Sequence, residues 1–432
     1  MAAGTLPPGP RLPTAVQTAE WIARPWEFME RAAARYGDTF TMKLVREGPI
    51  VMVSHPDAVR QIFTTPPELA LAGEANRILL PVVGQNSVLL LDRDAHKEQR
   101  RLLMPAFRGS HLQNYMSTMT AIVEAEMAGW PRGVPVRLHP RMQALTLEVI
   151  LHLVFGLERG QSMDRLRHAL QRMLALTTHA IAQMFLLVAG PQNLRTALTN
   201  KLLAEVDRLL HDEIATRRRQ EDLGGRTDVL SMLLKAKHED GNPMNDKEIR
   251  DELVTLLLAG HETTASGLAW AVERIIRHPD VHSRLTEETQ SGDGQRYVDA
   301  VVKETLRMRP VLALVSRRLT EPMEVDGFSL PAGAKVAPSI YLMHRRPDIY
   351  PDPKQFRPER FLDNRAGTYT WIPFGGGVRR CLGATFAECE MRVVLSALFS
   401  TARVRPVDFK SEPIHRRSIT HVPGRGTTVV LD

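Results

Sequence analysis

The longest uninterrupted helical pattern in this 432-residue chain runs over residues 245–277. Asn245 and Glu248 have the spacing of a capping box, which predicts the start of a helix, and the dipeptide His278-Pro279 predicts its end. At about 1.5 Å per residue the helix would be roughly 45 Å long, enough to cross a whole domain. The fold must therefore be arranged around this helix.

Shorter helical patterns cover most of the chain before residue 315. They lie at residues 24–37, 113–130, 141–157, 163–189 and 193–220, and a last one lies at about 383–400. Alternating residues 40–44 and the apolar run 50–53 predict a β-hairpin. After residue 315 short strand patterns, prolines and turns predominate. The sequence shows no internal repeat or linker, and it predicts one large, mainly α domain with a minor β region over residues 1–432, with a proline-rich lead over 1–20.

The charge distribution argues against a nucleic-acid surface. The net charge is +7, but the basic residues are dispersed. The tightest run, Arg217-Arg218-Arg219, ends a helical pattern and is followed by Glu221 and Asp222. A nucleic-acid stripe would be more clustered and interleaved with aromatic residues. We expect no nucleic-acid partner, whereas docking of an acidic protein partner stays open.

Cysteine usage and hydropathy indicate a reducing compartment and no membrane anchor. Cys381 and Cys389, the only two cysteines, are eight residues apart. On one helix they would be separated by roughly 12 Å, too far for a disulfide. The N-terminal sequence has no basic-then-apolar signal, and the most apolar long stretch, 174–190, contains His179 and Gln183. We expect a soluble, cytoplasmic and monomeric protein without a transmembrane anchor.

The middle of the long helical pattern reads AGHETT and contains residues that weaken a helix. Gly260 costs about 1 kcal/mol relative to alanine, and the hydroxyls of Thr263 and Thr264 can compete for backbone carbonyls. A kink for packing is one interpretation. His261-Glu262 begins like the zinc motif HExxH, but the second histidine is replaced by alanine. The remaining interpretation is an acid–hydroxyl pair, Glu262 and Thr263, that delivers protons to a small ligand in a gap beside Gly260.

Two further pairs are less specific on their own. Glu304 and Arg307 are three residues apart on a predicted helix, and an exposed pair of this kind contributes about 0–1 kcal/mol. His96 and Arg100 share a helix face in HKEQRRLLMPAF. They belong either to a solvated basic helix or to a site for a carboxylate or phosphate.

The stretch FGGGVRRCLG, residues 374–383, contains the more informative cysteine. Three consecutive glycines permit a close backbone approach. Cys381 follows two arginines and precedes the last predicted helix, where a thiolate is favoured. No cysteine or histidine lies at zinc-ligand spacing from it, so the thiolate would be a nucleophile or the ligand of a cofactor that brings its own remaining ligands. Heme is such a cofactor.

Together these motifs resemble those of the cytochrome P-450 family of heme-thiolate monooxygenases, over essentially the whole chain. FGGGVRRCLG matches the family's cysteine loop, F-x-x-G-x-R-x-C-x-G, at every fixed position. AGHETT matches the oxygen-activation motif, ETLR matches E-x-x-R, and FRPERF (356–361) matches the segment that supplies a third partner. All four occur in the family's order and spacing. The resemblance implies a single P-450 fold in which the long helix crosses over the heme.

The resemblance implies a heme b (iron protoporphyrin IX) held by the cysteine loop and by basic side chains. Cys381 would be the axial thiolate of the iron, Phe374 would shield the sulfur, and Gly383 would lie against the cofactor. The propionates would be bound by four basic residues, namely His96, Arg100, Arg317 and Arg379.

The resemblance also implies roles on the long helix. Thr263 would hold dioxygen and the water that protonates it, and Glu262 would relay protons from solvent. Ala259 and Gly260 would leave room for oxygen and substrate.

A structural role is implied for the pair in ETLR. Glu304, Arg307 and Arg360 would form a buried ion network beneath the heme. Loss of one member would leave an uncompensated buried charge, at a cost of roughly 3–5 kcal/mol.

The implied substrate is lipophilic, because the segments that correspond to the family's pocket are apolar. A fatty acid, terpenoid, steroid or macrolide-like compound would fit equally. The segments are 74–88, 173–190, 311–315 and a turn near residue 419. The residues expected to contact substrate are Leu80, Val83, Ala259, Val311, Leu314 and Ile419.

Separate proteins would supply the electrons. The chain shows no flavin or iron–sulfur segment and lacks the membrane helix of other family members, so electrons would pass from NAD(P)H through a reductase and a ferredoxin or flavodoxin-type protein. Lys97, Arg101 and Arg380 form a candidate docking face, although a plain solvated face explains them equally well.

Three alternatives stay open at this point. Some relatives rearrange peroxides or dehydrate substrates without dioxygen, but they need no proton relay such as Glu262-Thr263. A heme sensor or carrier is disfavoured for the same reason, and product formation with added reductase would distinguish it. A cysteine hydrolase would need a histidine within reach of Cys381, and the sequence nominates none.

Overall fold

The structure is a computed structural model that describes residues 5–156, 160–178, 197–220, 225–292, 294–363 and 367–432. The α-helices in these ranges are, in chain order, Thr14–Ala23 (α1), Pro25–Tyr36 (α2), Pro56–Thr64 (α3), Ala72–Ala75 (α4), Leu80–Val83 (α5), Arg93–Leu103 (α6), Gly109–Ala128 (α7), Leu138–Phe155 (α8), Gln161–Thr178 (α9), Ala197–Arg218 (α10), Val229–Lys235 (α11), Asp246–Ile275 (α12), Pro279–Ser291 (α13), Arg296–Met308 (α14), Ile340–Met343 (α15) and Ala384–Thr401 (α16).

The β-strands are short and lie mostly in the second half of the chain. They are Thr39–Leu44 (β1), Gly48–Val53 (β2), Ala70–Leu71 (β3), Pro135–Arg137 (β4), Arg317–Leu319 (β5), Met323–Val325 (β6), Phe328–Leu330 (β7), Lys335–Pro338 (β8), Val404–Pro406 (β9), Ile414–Arg417 (β10), Thr420–Pro423 (β11) and Thr428–Leu431 (β12). The main sheet has the order β1-β2-β8-β5-β3, a second sheet has the order β4-β12-β9, and β6-β7 and β10-β11 are hairpins. The predicted class, mainly α with a minor β region, is confirmed.

The predicted elements agree closely with the observed ones. The long helix is α12, with 30 residues, and the side chain of Asn245 accepts the N–H groups of Lys247 and Glu248 at 3.0 Å, as expected of a capping residue. The predicted hairpin is β1-β2, in which Phe40 is opposite Met52. The predicted helix 163–189 is present as α9 up to Thr178, and its remainder lies outside the described residues. The lead over residues 1–20 contains a helix, α1, that its prolines did not suggest.

The chain forms two compact units that alternate along the sequence. Unit 1 comprises Met1–Ala70, Met116–Leu145 and Glu262–Asp432. Unit 2 comprises Leu71–Tyr115 and Thr146–His261. The division falls within α7, α8 and α12.

The main sheet of unit 1 has an apolar cluster on each face. Alternate residues of β2 belong to different clusters, as the two-residue period of a strand requires. Met52 packs with the buried aromatic residues Trp26 and Phe40. Val51 and Val53 pack with the buried face of α3. Burial on both faces stabilises this sheet, to which the cysteine loop is attached.

Unit 2 is helical, and buried polar contacts connect its loops to its helices. Arg217 on α10 is 1% exposed and binds both carboxylate oxygens of Asp228 at 3.0 Å. Asp251 on α12 accepts the backbone N–H of Asn86 at 3.0 Å, and Glu252 accepts that of Val88 at 2.7 Å. The loop after α5 is therefore held by consecutive carboxylates of α12. Among the described residues, no helix combines the length and the hydropathy needed to cross a membrane.

Candidate functional site

The cysteine loop connects Ile372 to α16 within unit 1. Its backbone closes on itself, because Gly375 N–H donates to the Ile372 carbonyl at 3.0 Å and Cys381 N–H donates to the Phe374 carbonyl at 2.9 Å. Gly375 and Gly377 have φ angles of 69° and 65°, which explains two of the three glycines. The loop is therefore a series of tight turns that ends at the cysteine.

The middle glycine allows a close approach to α3. A Cβ at position 376 would lie 2.2 Å from the ring of Phe63, and one at Gly377 would lie 2.0 Å from the Phe63 carbonyl oxygen. Side chains at these two positions would push the loop away from the helix. Phe374 stacks edge-on against Trp371, with ring centroids 6.0 Å apart.

Cys381 and Cys389 have different environments. Neither forms a disulfide, which confirms that prediction. The side chain of Cys381 is exposed and lies just before Gly383, the cap of α16. Cys389 is buried in the helix, and burial raises the pKa of its thiol, so that it remains protonated. Only Cys381 therefore offers a sulfur to a cofactor or substrate.

Glu304, Arg307 and Arg360 lie together in unit 1. Arg307 Nε donates to Glu304 Oε2 at 2.6 Å and Arg307 Nη2 to Glu304 Oε1 at 2.8 Å, with both side chains 0% exposed. Arg360 Nε lies 3.4 Å from Glu304 Oε1. Glu304 also accepts the backbone N–H of Arg357 at 2.8 Å. The network thus joins α14 to the segment that precedes the cysteine loop.

Glu262, on the unit 1 part of α12, is surrounded by polar side chains. Gln143 Nε2 donates to its Oε2 at 2.5 Å, Arg417 Nη1 lies 3.4 Å from Oε1, and His139 Nε2 lies 3.8 Å from Oε1. Ser266 Oγ donates to the Glu262 carbonyl at 2.7 Å. Burial raises the pKa of Glu262, although Arg417 and Gln143 oppose that shift. The raised pKa favours the protonated form of this carboxyl group.

The two threonines next to Glu262 differ in their surroundings. Thr263 is half-buried, whereas Thr264 is buried and hydrogen-bonds to Glu390 of α16. Burial raises the pKa of Glu390 well above its ordinary value. The hydroxyl of Thr264 thus connects α12 to α16.

Gly260 lies in the unit 2 part of α12, where it packs closely against α8. A Cβ on Gly260 would lie 2.9 Å from Ile150 Cδ1. The side of Gly260 where a Cβ would lie is therefore filled by Ile150, while Gly260 itself is partly exposed. The neighbouring Ala259 is exposed.

The remaining predicted residues of unit 2 lie on α5 and α6. His96 is 2% exposed and Arg100 is half-buried, one turn apart on α6. Leu80 is exposed, but Val83 is 2% exposed. Val83 is therefore buried within unit 2. The expected segment 173–190 lies outside the described residues beyond 178.

The remaining predicted residues of unit 1 lie near β5 and the β10-β11 hairpin. The carbonyl of Val311 accepts the N–H of His421 at 2.8 Å, so the apolar segment 311–315 adjoins β11. Leu314 is half-buried, and Ile419 in the hairpin turn is 45% exposed. Arg317 is buried at the start of β5.

The basic residues of the expected docking face are exposed but belong to different units. Lys97 and Arg101 are on α6 in unit 2, where they pair with Asp94 and Glu239. Arg380 is in unit 1 and lies over the ring of Phe374 at 5.9 Å.

Sequence reasoning missed Gln143, His139, Arg417 and His344. Each contacts a motif residue through a separation of about 30 or more positions, and none belongs to a motif. His344 accepts the N–H of Ile372 at 2.9 Å through its ring Nε2, at the entrance of the cysteine loop. No local signal distinguishes these four residues from other polar residues of the chain.

Comparison with known proteins finds, over nearly the whole chain, the family that the motifs resemble. The sequence pattern of the Cytochrome P450 family matches residues 6–426. The chain is 41% identical to cytochrome P450 135B1 of Mycobacterium tuberculosis, over 98% of this chain and 91% of the relative. It is 37% identical to cytochrome P450 135A1 of the same species, over 99% of this chain and 95% of the relative.

Solved structures show the same fold at lower identity. Retinoic acid-bound cyanobacterial CYP120A1 is 24% identical, with a TM-score of 0.83 over 100% of both chains. The heme domain of cytochrome P450DA is 22% identical, with a TM-score of 0.86 over 99% of this chain and 97% of the other.

Proposed function

Since the chain belongs to the cytochrome P450 family of heme-thiolate monooxygenases, we propose that it inserts one oxygen atom of O2 into a lipophilic small molecule. The observation that carries the proposal is that unit 1 contains both an exposed thiol, Cys381, and a largely buried acid of raised pKa, Glu262. A monooxygenase needs both a ligand for its cofactor and a route for protons.

The donor set of the chain fits a heme. Cys381 offers a thiol on a loop whose glycines hold the backbone close to α3. The basic residues that the resemblance assigns to the propionates are His96, Arg100, Arg317 and Arg379. When bound, the heme supplies the activation of dioxygen.

Residues of the loop would keep Cys381 deprotonated and dry. The sulfur precedes the N-terminus of α16, whose free N–H groups favour negative charge, and Arg379 and Arg380 add positive charge. Phe374, positioned by Trp371, would limit access of water to the sulfur. Gly383 would let the cofactor lie against the start of the helix.

Glu262 would hold the proton that oxygen activation consumes. Gln143 orients Oε2, and His139 and Arg417 lie on the side of Oε1. Arg417 is 25% exposed and Glu262 is 12% exposed, so a proton would reach Oε1 from the solvent on the side of Arg417. Thr263, the next residue of α12, would take the proton from Glu262 and present it to the ligand.

Glu304, Arg307 and Arg360 would have no direct part in the reaction. They would stabilise the segment in front of the cysteine loop, because Arg307 binds three backbone carbonyls there as well as Glu304.

The substrate would be a fatty acid, terpenoid, steroid or macrolide-like compound. The apolar side chains that support this assignment are Leu80, Ala259, Val311, Leu314 and Ile419. Val83, which is buried in the structure, is the sixth residue proposed to contact the substrate.

Electrons would reach the protein from NAD(P)H through a reductase and a ferredoxin or flavodoxin-type protein. The exposed bases Lys97, Arg101 and Arg380 support docking of an acidic partner. Two unbridged cysteines support a cytoplasmic location. We assign a monomeric state.

A carbon monoxide spectrum of the reduced, purified protein tests the proposal. A strongly red-shifted Soret band establishes a heme with a thiolate ligand, and Cys381→Ser should abolish that shift while Cys389→Ser, the matched control, should retain it. A band at the ordinary position in the wild-type protein, or none after added hemin, would overturn the assignment of Cys381. Substrate classes are then screened by the change in iron spin state and by product formation with added reductase and ferredoxin.

A further inference from the structure

His344 connects the buried ion network to the cysteine loop of unit 1. It follows α15 directly and is 0% exposed. Its carbonyl accepts a hydrogen bond from Arg307 Nη1 at 2.8 Å, and its ring Nε2 accepts the backbone N–H of Ile372 at 2.9 Å. One residue therefore contacts both the network and Ile372, two residues before the loop begins at Phe374.

The hydrogen bond from the Ile372 N–H determines the protonation state of the His344 ring. Because Nε2 accepts a hydrogen bond from the backbone N–H of Ile372, the imidazole is neutral and its own proton is assigned to Nδ1. Burial, together with the positive charges of Arg307 and Arg345, lowers the pKa of His344 to about 3. The ring therefore stays an acceptor throughout the physiological pH range.

The segment before the loop is held at three successive residues by three different side chains. Tyr350 OH donates to the carbonyl of Thr370 at 3.1 Å, and Trp371 Nε1 donates to that of Lys303 at 3.2 Å. His344 holds the third residue, Ile372. Only this third bond lies at the residue whose carbonyl begins the turns of the loop.

From Ile372 the hydrogen bonds continue to the cysteine. The Ile372 carbonyl accepts Gly375 N–H at 3.0 Å, and the Phe374 carbonyl accepts Cys381 N–H at 2.9 Å. A shift of Ile372 would change the geometry of both turns, because three glycines leave the loop with few side chains of its own to hold it.

We infer that His344 is a positioning residue, which transmits the position of the Glu304–Arg307 pair to the cysteine loop and thereby sets the orientation of Cys381 toward its ligand. The inference rests on the proposed role of Cys381 as the heme thiolate. No part of the reaction takes place on the imidazole.

Two substitutions separate the hydrogen bond from the bulk of the ring. His344→Phe keeps an aromatic ring and removes the acceptor, whereas His344→Gln places an amide oxygen near the position of Nε2. Tyr350→Phe is the matched control, since it removes the neighbouring anchor at Thr370. Each protein is compared with the wild type by hydrogen exchange of the Ile372 amide, by the carbon monoxide spectrum and by the reduction potential of the iron.

In His344→Phe we expect the Ile372 amide to exchange about tenfold faster, as loss of one hydrogen bond requires, and part of the red-shifted band to convert to the ordinary position. His344→Gln should restore both readouts, and Tyr350→Phe should change neither. Unchanged exchange, or an unchanged spectrum and potential, in a folded His344→Phe protein would overturn the inference. A wild-type protein without the red-shifted band would instead overturn the role of Cys381.

If His344→Phe does not fold, hydrogen exchange of the Ile372 amide in the wild-type protein and in His344→Gln tests the hydrogen bond instead. Slow exchange of the Ile372 amide in both, close to the rate set by global unfolding, supports the bond. Fast exchange in the wild type excludes it.

Discussion

Glu304 and Arg307 form a two-point ion pair with no access to solvent, Nε to Oε2 at 2.6 Å and Nη2 to Oε1 at 2.8 Å. The remaining donors of the guanidinium bind the carbonyls of His344, Pro353 and Gln355. A planar group with five donors is required to make all of these bonds at once, and a lysine cannot replace it.

Replacement of this arginine should therefore destabilise the protein strongly. We expect Arg307→Lys to lower the free energy of unfolding by about 3–5 kcal/mol, because Glu304 and several carbonyls lose buried partners. Chemical denaturation measures the change. The control is Arg296→Lys, in an ion pair with Asp363 that is 71% and 86% exposed, for which we expect about 0–1 kcal/mol. A similar loss in both variants would contradict the prediction.

Glu252 in unit 2 should make stability decrease as the pH rises. It is 0% exposed, and burial raises the pKa of its carboxyl to about 8, above the ordinary value of 4.5. The folded state thus binds a proton that the unfolded state has released. The stabilisation that this bound proton gives the folded state is complete below pH 4.5. It is lost as the pH rises to 8, and the free energy of unfolding falls by about 1.4 kcal/mol per pH unit.

Glu252→Gln removes this titration and keeps an oxygen for the N–H of Val88. Denaturation at pH 5, 6, 7 and 8 should show a flatter pH dependence than in the wild type and a more stable protein at pH 8. Glu321→Gln, at an exposed position, serves as the control and should leave the slope unchanged. Parallel slopes for Glu252→Gln and the wild type would contradict the prediction.

His421 should make the protein less stable as the pH falls below 6.5. It is 1% exposed, and burial with the nearby charge of Arg416 lowers its pKa to about 3 from 6.5. The unfolded state therefore binds a proton that the folded state excludes. The stabilisation linked to the neutral ring of His421 is complete above pH 6.5. As the pH decreases toward 3, the free energy of unfolding falls by about 1.4 kcal/mol per pH unit.

We expect His421→Phe to lose less stability than the wild type between pH 6.5 and 5, by about 2 kcal/mol over the interval. Thermal or chemical denaturation at both pH values gives the comparison. His168→Phe, at an exposed histidine of α9, is the control. An equal acid sensitivity of His421→Phe and the wild type would show that the buried ring does not titrate as described.

Glu262 should control proton delivery without affecting heme binding. We expect Glu262→Gln to form product about 100-fold more slowly, as loss of an acid–base group requires, and to release more peroxide per NAD(P)H consumed. Gln143→Leu should lower the rate of product formation less, because Gln143 only orients Oε2 of Glu262.

The measurements are the product yield, the peroxide yield and the carbon monoxide spectrum of each variant. Glu47→Gln, in the turn between β1 and β2, should leave all three unchanged. Product formation by Glu262→Gln at the wild-type rate would remove this residue from the proton route.

Much of the fold could be predicted from sequence because its signals are local. The capping residues of α12, the alternation in β1 and the glycines of the cysteine loop each reflect contacts within a few residues, so they can be read in order along the chain. The exact spacing of the motifs identified the family, and with it the roles expected of Cys381 and Glu262.

The sequence alone thus determined the helical class, the family and the residues that carry the expected chemistry. Only the tertiary structure decided which partners surround them: Gln143 on Glu262, His344 on Ile372, and Ile150 in the space beside Gly260. These contacts join residues 28 to 119 positions apart and depend on burial, because a hydrogen bond or a pKa shift of this size exists only where water is excluded. No local pattern records that exclusion, since it is a property of the packed chain.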